Sequence, residues 1–192
     1  IICIVLAVFL VTAIFGMADM LIRGQILQAQ QEKGNWHIGI RNISDEDANL
    51  ISSRPDVATV ADYGVLNYRG EQSYTLSGKN VVICGSDESA VTEIFTSLDI
   101  GTFPANENEA LVTNNAKNML NLEIGEQIVI TMPDGSEISY IISGFINNTV
   151  GLMSKDSYGV CLTTEGFRAI YPDGTSSNPA DYTMRLLKFK ST

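Results

Sequence analysis

The sequence predicts an α+β protein, with an apolar N-terminal helix followed by a mixed domain. Three observations lead there. Residues 1–18, IICIVLAVFLVTAIFGMA, carry no charge. A strand–helix–strand order occurs early in the remaining chain and again near its end. Between the two lies a run of short alternating strands broken by tight turns.

Eighteen helical residues span about 27 Å at roughly 1.5 Å each, close to the ~30 Å hydrocarbon thickness of a bilayer. In lipid the backbone must satisfy its own hydrogen bonds, so a helix is the expected form. A secretory signal peptide would need a basic n-region, an apolar stretch of about 7–15 residues and a small-x-small cleavage site. No basic residue precedes Arg23, and the apolar run is too long. The expectation is a transmembrane helix over 1–24 whose start, lacking an initiator Met, lies inside a longer protein.

Residues 25–35 then read as a helical stalk of Gln, Leu, Ala, Glu and Lys, stopped by Gly34-Asn35. Trp36 to Ile43 alternates as a half-buried strand. Ser44-Asp45-Glu46-Asp47 opens a short helix with a hydroxyl cap and acids in its first turn. Ala48, Leu50 and Ile51 point inward, and the helix ends before Pro55. Val57 to Tyr68 is a long strand, softly broken at Gly64. At the far end, Tyr158 to Leu162 is strand-like, Thr163 or Thr164 caps a helix through Phe167, Ala169 and Ile170, and Pro172-Asp173-Gly174 turns into a last strand, Asp181 to Lys190.

The middle opens with a hairpin turn at Tyr68-Arg69-Gly70-Glu71. It continues through a strand at Val81–Gly85, an amphipathic helix at Ser89–Leu98, a strand at Glu109–Thr113 and a helix at Asn115–Leu120. Gln127–Met132 and Ile138–Ile146 pair across Pro133-Asp134-Gly135-Ser136. On this reading, 36–70 and 147–192 form a split α+β module of ferredoxin-like type, and 71–146 is an inserted, mostly antiparallel β subdomain. Strand 36–43 then shares a sheet with strand 181–190, and the insertion stands off as a second lobe.

A formal charge of −10 excludes nucleic acid as a partner, because phosphates repel an acidic surface. Over residues 19–53 the only cations are Arg23, Lys33 and Arg41, outnumbered by carboxylates, which favours an extracytoplasmic domain. Three cysteines, Cys3, Cys84 and Cys161, make no disulfide framework and no zinc spacing. Cys84 and Cys161 sit in apolar strands and read as small buried hydrophobes.

Certain stretches resemble a known family. Ile43-Ser44-Asp45-Glu46-Asp47 leading to Pro55-Asp56-Val57 is one. Another runs from Asn108-Glu109-Ala110-Leu111-Val112 through Ala116, Leu120, Leu122, Ile124-Gly125-Glu126 and Ile128 to Pro133-Asp134-Gly135 and Ile142-Ser143-Gly144-Phe145. Together they are similar to the periplasmic core domain of FtsX/MacB-like ABC-transporter permeases. The resemblance covers essentially the whole chain and consists of fold-forming positions. It implies a porter-like split module between membrane helices, in a bacterial cell membrane, with residues from about 25 onward extracytoplasmic. The partners it implies are a cytoplasmic ABC ATPase subunit, reached through permease segments outside this chain, a second permease copy, and membrane lipid. The role it implies is mechanotransmission for export, extraction or signalling. No residue selects a cargo.

Chemistry is not expected. No phosphate loop is present, so ATP hydrolysis belongs to a partner. No catalytic, cofactor-binding or metal-ligating residue is assigned, and no cofactor. His37 stands alone, and Asp45-Glu46-Asp47 is explained by the helix dipole rather than by a cation. A sortase-like transpeptidase would need a thiolate, a histidine and an arginine, for which only Cys161, His37 and Arg168 are on offer. Cys161, however, lies in an apolar strand, where a thiolate is disfavoured. The other alternative is the extracellular sensor domain of a membrane receptor.

Overall fold

In the computed structural model, which describes residues 2–41, 45–68, 73–147, 157–170 and 182–190, the apolar start and the stalk form one helix. This helix, α1 (Ile2–Lys33), has 32 residues and is about 48 Å long. There follow β1 (Ile38–Ile40), α2 (Asp45–Ser52), β2 (Val57–Leu66), β3 (Thr75–Leu76), β4 (Lys79–Ser86) and a π-helical turn (Ala90–Ile94). The chain continues through β5 (Leu98–Gly101), β6 (Glu109–Thr113), α3 (Asn114–Leu120), β7 (Gln127–Thr131), β8 (Glu137–Ile146), β9 (Tyr158–Thr163), α4 (Thr164–Ile170) and β10 (Tyr182–Phe189).

β10 lies between β1 and β2 and is antiparallel to both, with Ile38 opposite Leu187 and Leu187 opposite Val60. The early and late strands therefore share a sheet, as the sequence suggests. β1 and β2 run parallel, with α2 as their crossover, which makes a split β-α-β unit. β2 is followed by β4, with Val65 opposite Cys84.

Beyond β4 the strand order departs from the sequence reading. β4 pairs with β9 in parallel, and β9 pairs with β6, β6 with β8, β8 with β7, β7 with β3, and β3 again with β4. Six strands thus close a ring. A split ferredoxin-like module is not confirmed by this order. The strand expected to complete it, β9, sits between β4 and β6, both from the 71–146 stretch. The physical reason is visible in β9 itself, where all six residues are buried. A strand buried on both faces belongs in the middle of a sheet with cover on each side.

The two faces of these strands feed two apolar clusters. Val81 and Ile83 of β4, Ala110 and Val112 of β6, Ile128 and Ile130 of β7, and Val160 and Leu162 of β9 fill the ring. Phe167 and Ile170 of α4 join them. The alternate residues Val82, Cys84, Leu111 and Cys161 face outward, meeting Ala61, Tyr63 and Val65 of β2, Leu186 of β10, and Val91, Ile94 and Phe95 of the π-turn. α4 lies close on β4 because Gly85 has no side chain: a Cβ there would overlap the Phe167 ring.

Several local expectations change. Leu50 is 69% exposed, since α2 is a short crossover at the margin of the sheet. Gly64 does not break β2; it pairs with Gly85 in continuous register. The hairpin turn proposed at 68–71 falls largely outside the described residues, as do the turn at 172–174 and residues 42–44. The tight hairpin there joins β3 to β4 through Ser77 and Gly78, whose φ values of 53° and 76° suit a type I′ turn. The helix expected from Ser89 is π-helical, with the Phe95 N–H donating to the Ala90 carbonyl at 2.8 Å. β5, carrying Asp99 and Gly101, has no clear strand signature.

Candidate functional site at the foot of helix α1

Residues of α1 outside its last turns touch little of the domain. Its apolar span, Val8–Gln30, has 23 residues, a mean hydropathy of 1.5 and no burial inside the protein. Its side chains are exposed on every side, from Val5 to Leu27, as expected of a helix whose solvent is lipid. The polar groups within it are satisfied locally: Thr12 Oγ1 donates to the Val8 carbonyl at 2.6 Å, and Arg23 pairs with Asp19 at 2.8 Å.

The helix meets the domain over four residues. Gly34, at φ +87°, donates its N–H to the Gln30 carbonyl at 2.8 Å and ends the helix in a left-handed cap. Its missing side chain has a second consequence. A Cβ there would sit 2.7 Å from Cε1 of Phe95 and nearer still to Cδ1, so the ring closes over bare backbone. Phe95 in turn tilts against Tyr63 of β2, with ring centroids 5.2 Å apart. The Asn35 N–H donates to the Ile94 carbonyl of the π-turn at 2.7 Å, and Gln30 Nε2 reaches Asn35 Oδ1 at 3.4 Å.

Trp36 lies across Gly39, beside Met184 and Leu186 of β10. His37 is bonded to β10 twice: its N–H donates to the Leu187 carbonyl at 2.8 Å, and its Nδ1 accepts from the Phe189 N–H at 3.1 Å. The π-turn is itself tied down. Glu93 accepts from Thr59 Oγ1 at 2.6 Å, and its carbonyl accepts from Lys188 Nζ at 3.2 Å. Arg185 of β10 makes a two-pronged pair with Asp62 of β2, at 2.7 and 2.8 Å. Asp87 Oδ2 accepts the Asp62 N–H, and its Oδ1 accepts the Thr164 hydroxyl. The foot of α1 therefore rests on a cross-braced patch of π-turn, β2 and β10.

The sequence marked Gly34-Asn35 as a helix stop and Phe95 as one apolar residue of a helix face. Their meeting, the central contact of this site, had no local signal, because it joins residues far apart in the chain. The groups considered for chemistry sit on separate elements, with His37 just ahead of β1. His37 is exposed, with Nδ1 held by Phe189. Cys161 is buried, with Ser86 Oγ 3.3 Å from its sulfur. Arg168 is exposed on α4, and Glu46 and Asp47 are exposed on α2. Among the described residues, no three His, Cys, Asp or Glu side chains converge to hold a metal. The cap expected at Thr163 or Thr164 is Thr163, whose Oγ1 accepts the Gly166 N–H at 3.0 Å.

Comparison with known proteins gives these features a family. The fold is similar to the periplasmic region of MacB from Actinobacillus actinomycetemcomitans, with a TM-score of 0.51 and 10% identity, over 80% of this chain and 68% of that one. It is also similar to a permease-protein domain from Porphyromonas gingivalis, with a TM-score of 0.50 and 9% identity, over 84% of this chain and 64% of that one. No protein of curated function matches the sequence. The family described as the MacB-like periplasmic core domain matches residues 1–186. With its apolar leading helix, the chain fits a membrane protein carrying an extracytoplasmic domain, and it belongs to the MacB-like periplasmic core domain family of ABC-transporter permeases.

Proposed function

We propose that this chain is the first membrane helix and extracytoplasmic domain of a permease subunit that transmits movement and performs no chemistry itself. A separate cytoplasmic ATPase supplies the free energy, through permease segments outside this chain, and two permease subunits work side by side in the bilayer. A shift of α1 on nucleotide binding carries the domain with it, so that the domain pushes, extracts or signals beyond the membrane.

The observation that carries this reading is continuity. α1 runs unbroken from its apolar span to Gly34, and Asn35 and His37 just beyond it are already hydrogen-bonded to the π-turn and to β10. A hydrogen-bonded helix bends little over this length unless Pro, a bulge or an inserted group breaks its ladder. Displacement at its membrane end therefore reaches the sheet. The test uses the intact transporter, with spin labels at the exposed Asn118 of both subunits. The label-to-label distance should change between the nucleotide-free and ATP-bound states. Three glycines inserted after Gln28 should abolish that change while ATP hydrolysis continues. A domain that moves as far with the insertion as without it would show that α1 is not the lever.

A further inference from the structure

Two cysteines from distant parts of the chain stand side by side. Cys84 of β4 is the register partner of Cys161 of the parallel strand β9. Both side chains enter the same apolar cluster, and each residue is 1% exposed. Neighbouring strands lie about 4.7–4.9 Å apart, inside the roughly 4.4–6.8 Å between Cα atoms that a disulfide spans. From their matched register and shared face, we propose that Cys84 and Cys161 are a disulfide site that staples β4 to β9 when the domain folds in an oxidising space. The compartment rests on the extracytoplasmic placement proposed above; cytosolic thiols would stay reduced.

The surroundings differ for the two sulfurs. Burial pushes the Cys84 thiol well up, reinforced by its contact with Cys161. The hydrogen bond from Cys84 lowers the Cys161 thiol, against burial and with help from the Ser86 hydroxyl. These shifts hold only once β9 has docked; before docking either thiol can lead, Cys161 for example. Its thiolate attacks one sulfur of a disulfide donor, small or protein-bound, forming a mixed disulfide and releasing the donor's other half as a thiol. The Cys84 sulfur, losing its proton to solvent, then attacks Cys161 Sγ and releases the second donor thiol. Two electrons have passed to the donor, and one Sγ–Sγ bond has formed. Because both sulfurs are covered in the finished fold, the exchange belongs to the stage before β9 docks or to a partly opened state.

The bridge ties the ring at the strand that also carries the open sheet, and it closes a long loop, where cross-links restrict the unfolded chain most. The test takes the full chain in detergent, incubated with oxidised glutathione in sub-denaturing urea and then returned to buffer. Peptide mapping without reduction should give one linked pair containing Cys84 and Cys161, lost on adding dithiothreitol. The oxidised protein should melt about 10 °C above the reduced one. Cys84→Ala and Cys161→Ala should each erase that difference, and Cys84→Ser serves where the alanine variant fails to fold. If both thiols still take up maleimide after oxidation and denaturation, or if an alanine variant keeps the shift, the site is wrong. A bridge that forms in the tube but is missing from acid-trapped cells would instead count against the extracytoplasmic placement.

Discussion

Replacing Gly34 by alanine should damage the domain in two separable ways. The first is backbone strain, since a non-glycine residue in the left-handed region costs about 1–2 kcal/mol, and Gly34 sits at φ +87°. The second is steric, because the new methyl lands on the Phe95 ring, which is held from behind by Tyr63. Overpacking of this kind costs roughly 1–3 kcal/mol. Together they reach about 3 kcal/mol, or a fall of about 10 °C in melting temperature for a chain of this size. Thermal unfolding in detergent, followed by circular dichroism, reads the total. Phe95→Ala separates the parts. In that background the clash is gone, and Gly34→Ala should cost only the backbone share. Amide exchange at Asn35, whose N–H is bonded to Ile94, should quicken in Gly34→Ala. A Gly34→Ala protein melting within 2 °C of wild type (about 0.5–1 kcal/mol) would refute the account, as would an equal cost in both backgrounds.

Two further outcomes are expected. Asn67 is buried at φ 60°, and its Nδ2 donates to the Tyr74 and Val81 carbonyls at 3.3 and 2.8 Å. Asn67→Ala strands two acceptors and should cost about 2–4 kcal/mol in a urea melt, whereas a loss no larger than that of a typical surface substitution would deny it this role. Burial, then the charge of Glu107, pushes the Tyr140 hydroxyl up to about 12 from 10.0. Because the folded value is the higher one, its contribution to stability is complete below 10 and is lost as pH rises toward 12. Absorbance at 295 nm should show a late-titrating component that shrinks in Tyr140→Phe, the part that remains belonging to Tyr74, whose hydroxyl burial also raises.

Much of the local structure was legible, and the long-range order was not. The sequence GMADMLIRGQILQAQQEKGN shows where α1 ends because glycine is the residue that tolerates its cap. Alternation locates β7 and β8, and Asp134-Gly135 locates their turn. Strand neighbours are a different matter. Tyr158-Gly159-Val160-Cys161-Leu162 is apolar throughout, which fixes burial on both faces but leaves open which strands provide it. The strand–helix–strand order suggested only that this strand belongs with 36–70 in one module; its neighbours are β4 and β6 of the middle stretch. The foot of α1 was half legible for the same reason. Gly34 could be read as a stop, while the need for Phe95 above it arises only after 60 residues of chain have folded back.

The sheet also bears on life at high density. Its ladder ends in β1, only three residues long, and the side branch β5 has four, with Asp99 and the kinked Gly101 at φ +91°. Most of the remaining strands spend their hydrogen bonds inside the closed ring. Molecules anchored to one bilayer share a thin layer and collide far more often than they would in free solution, and long bare strand edges would zip such neighbours into fibrils. Short, charged and kinked edges deny them a template. In the permease pair proposed above, such edges would let two domains press together and part without zipping their sheets into one.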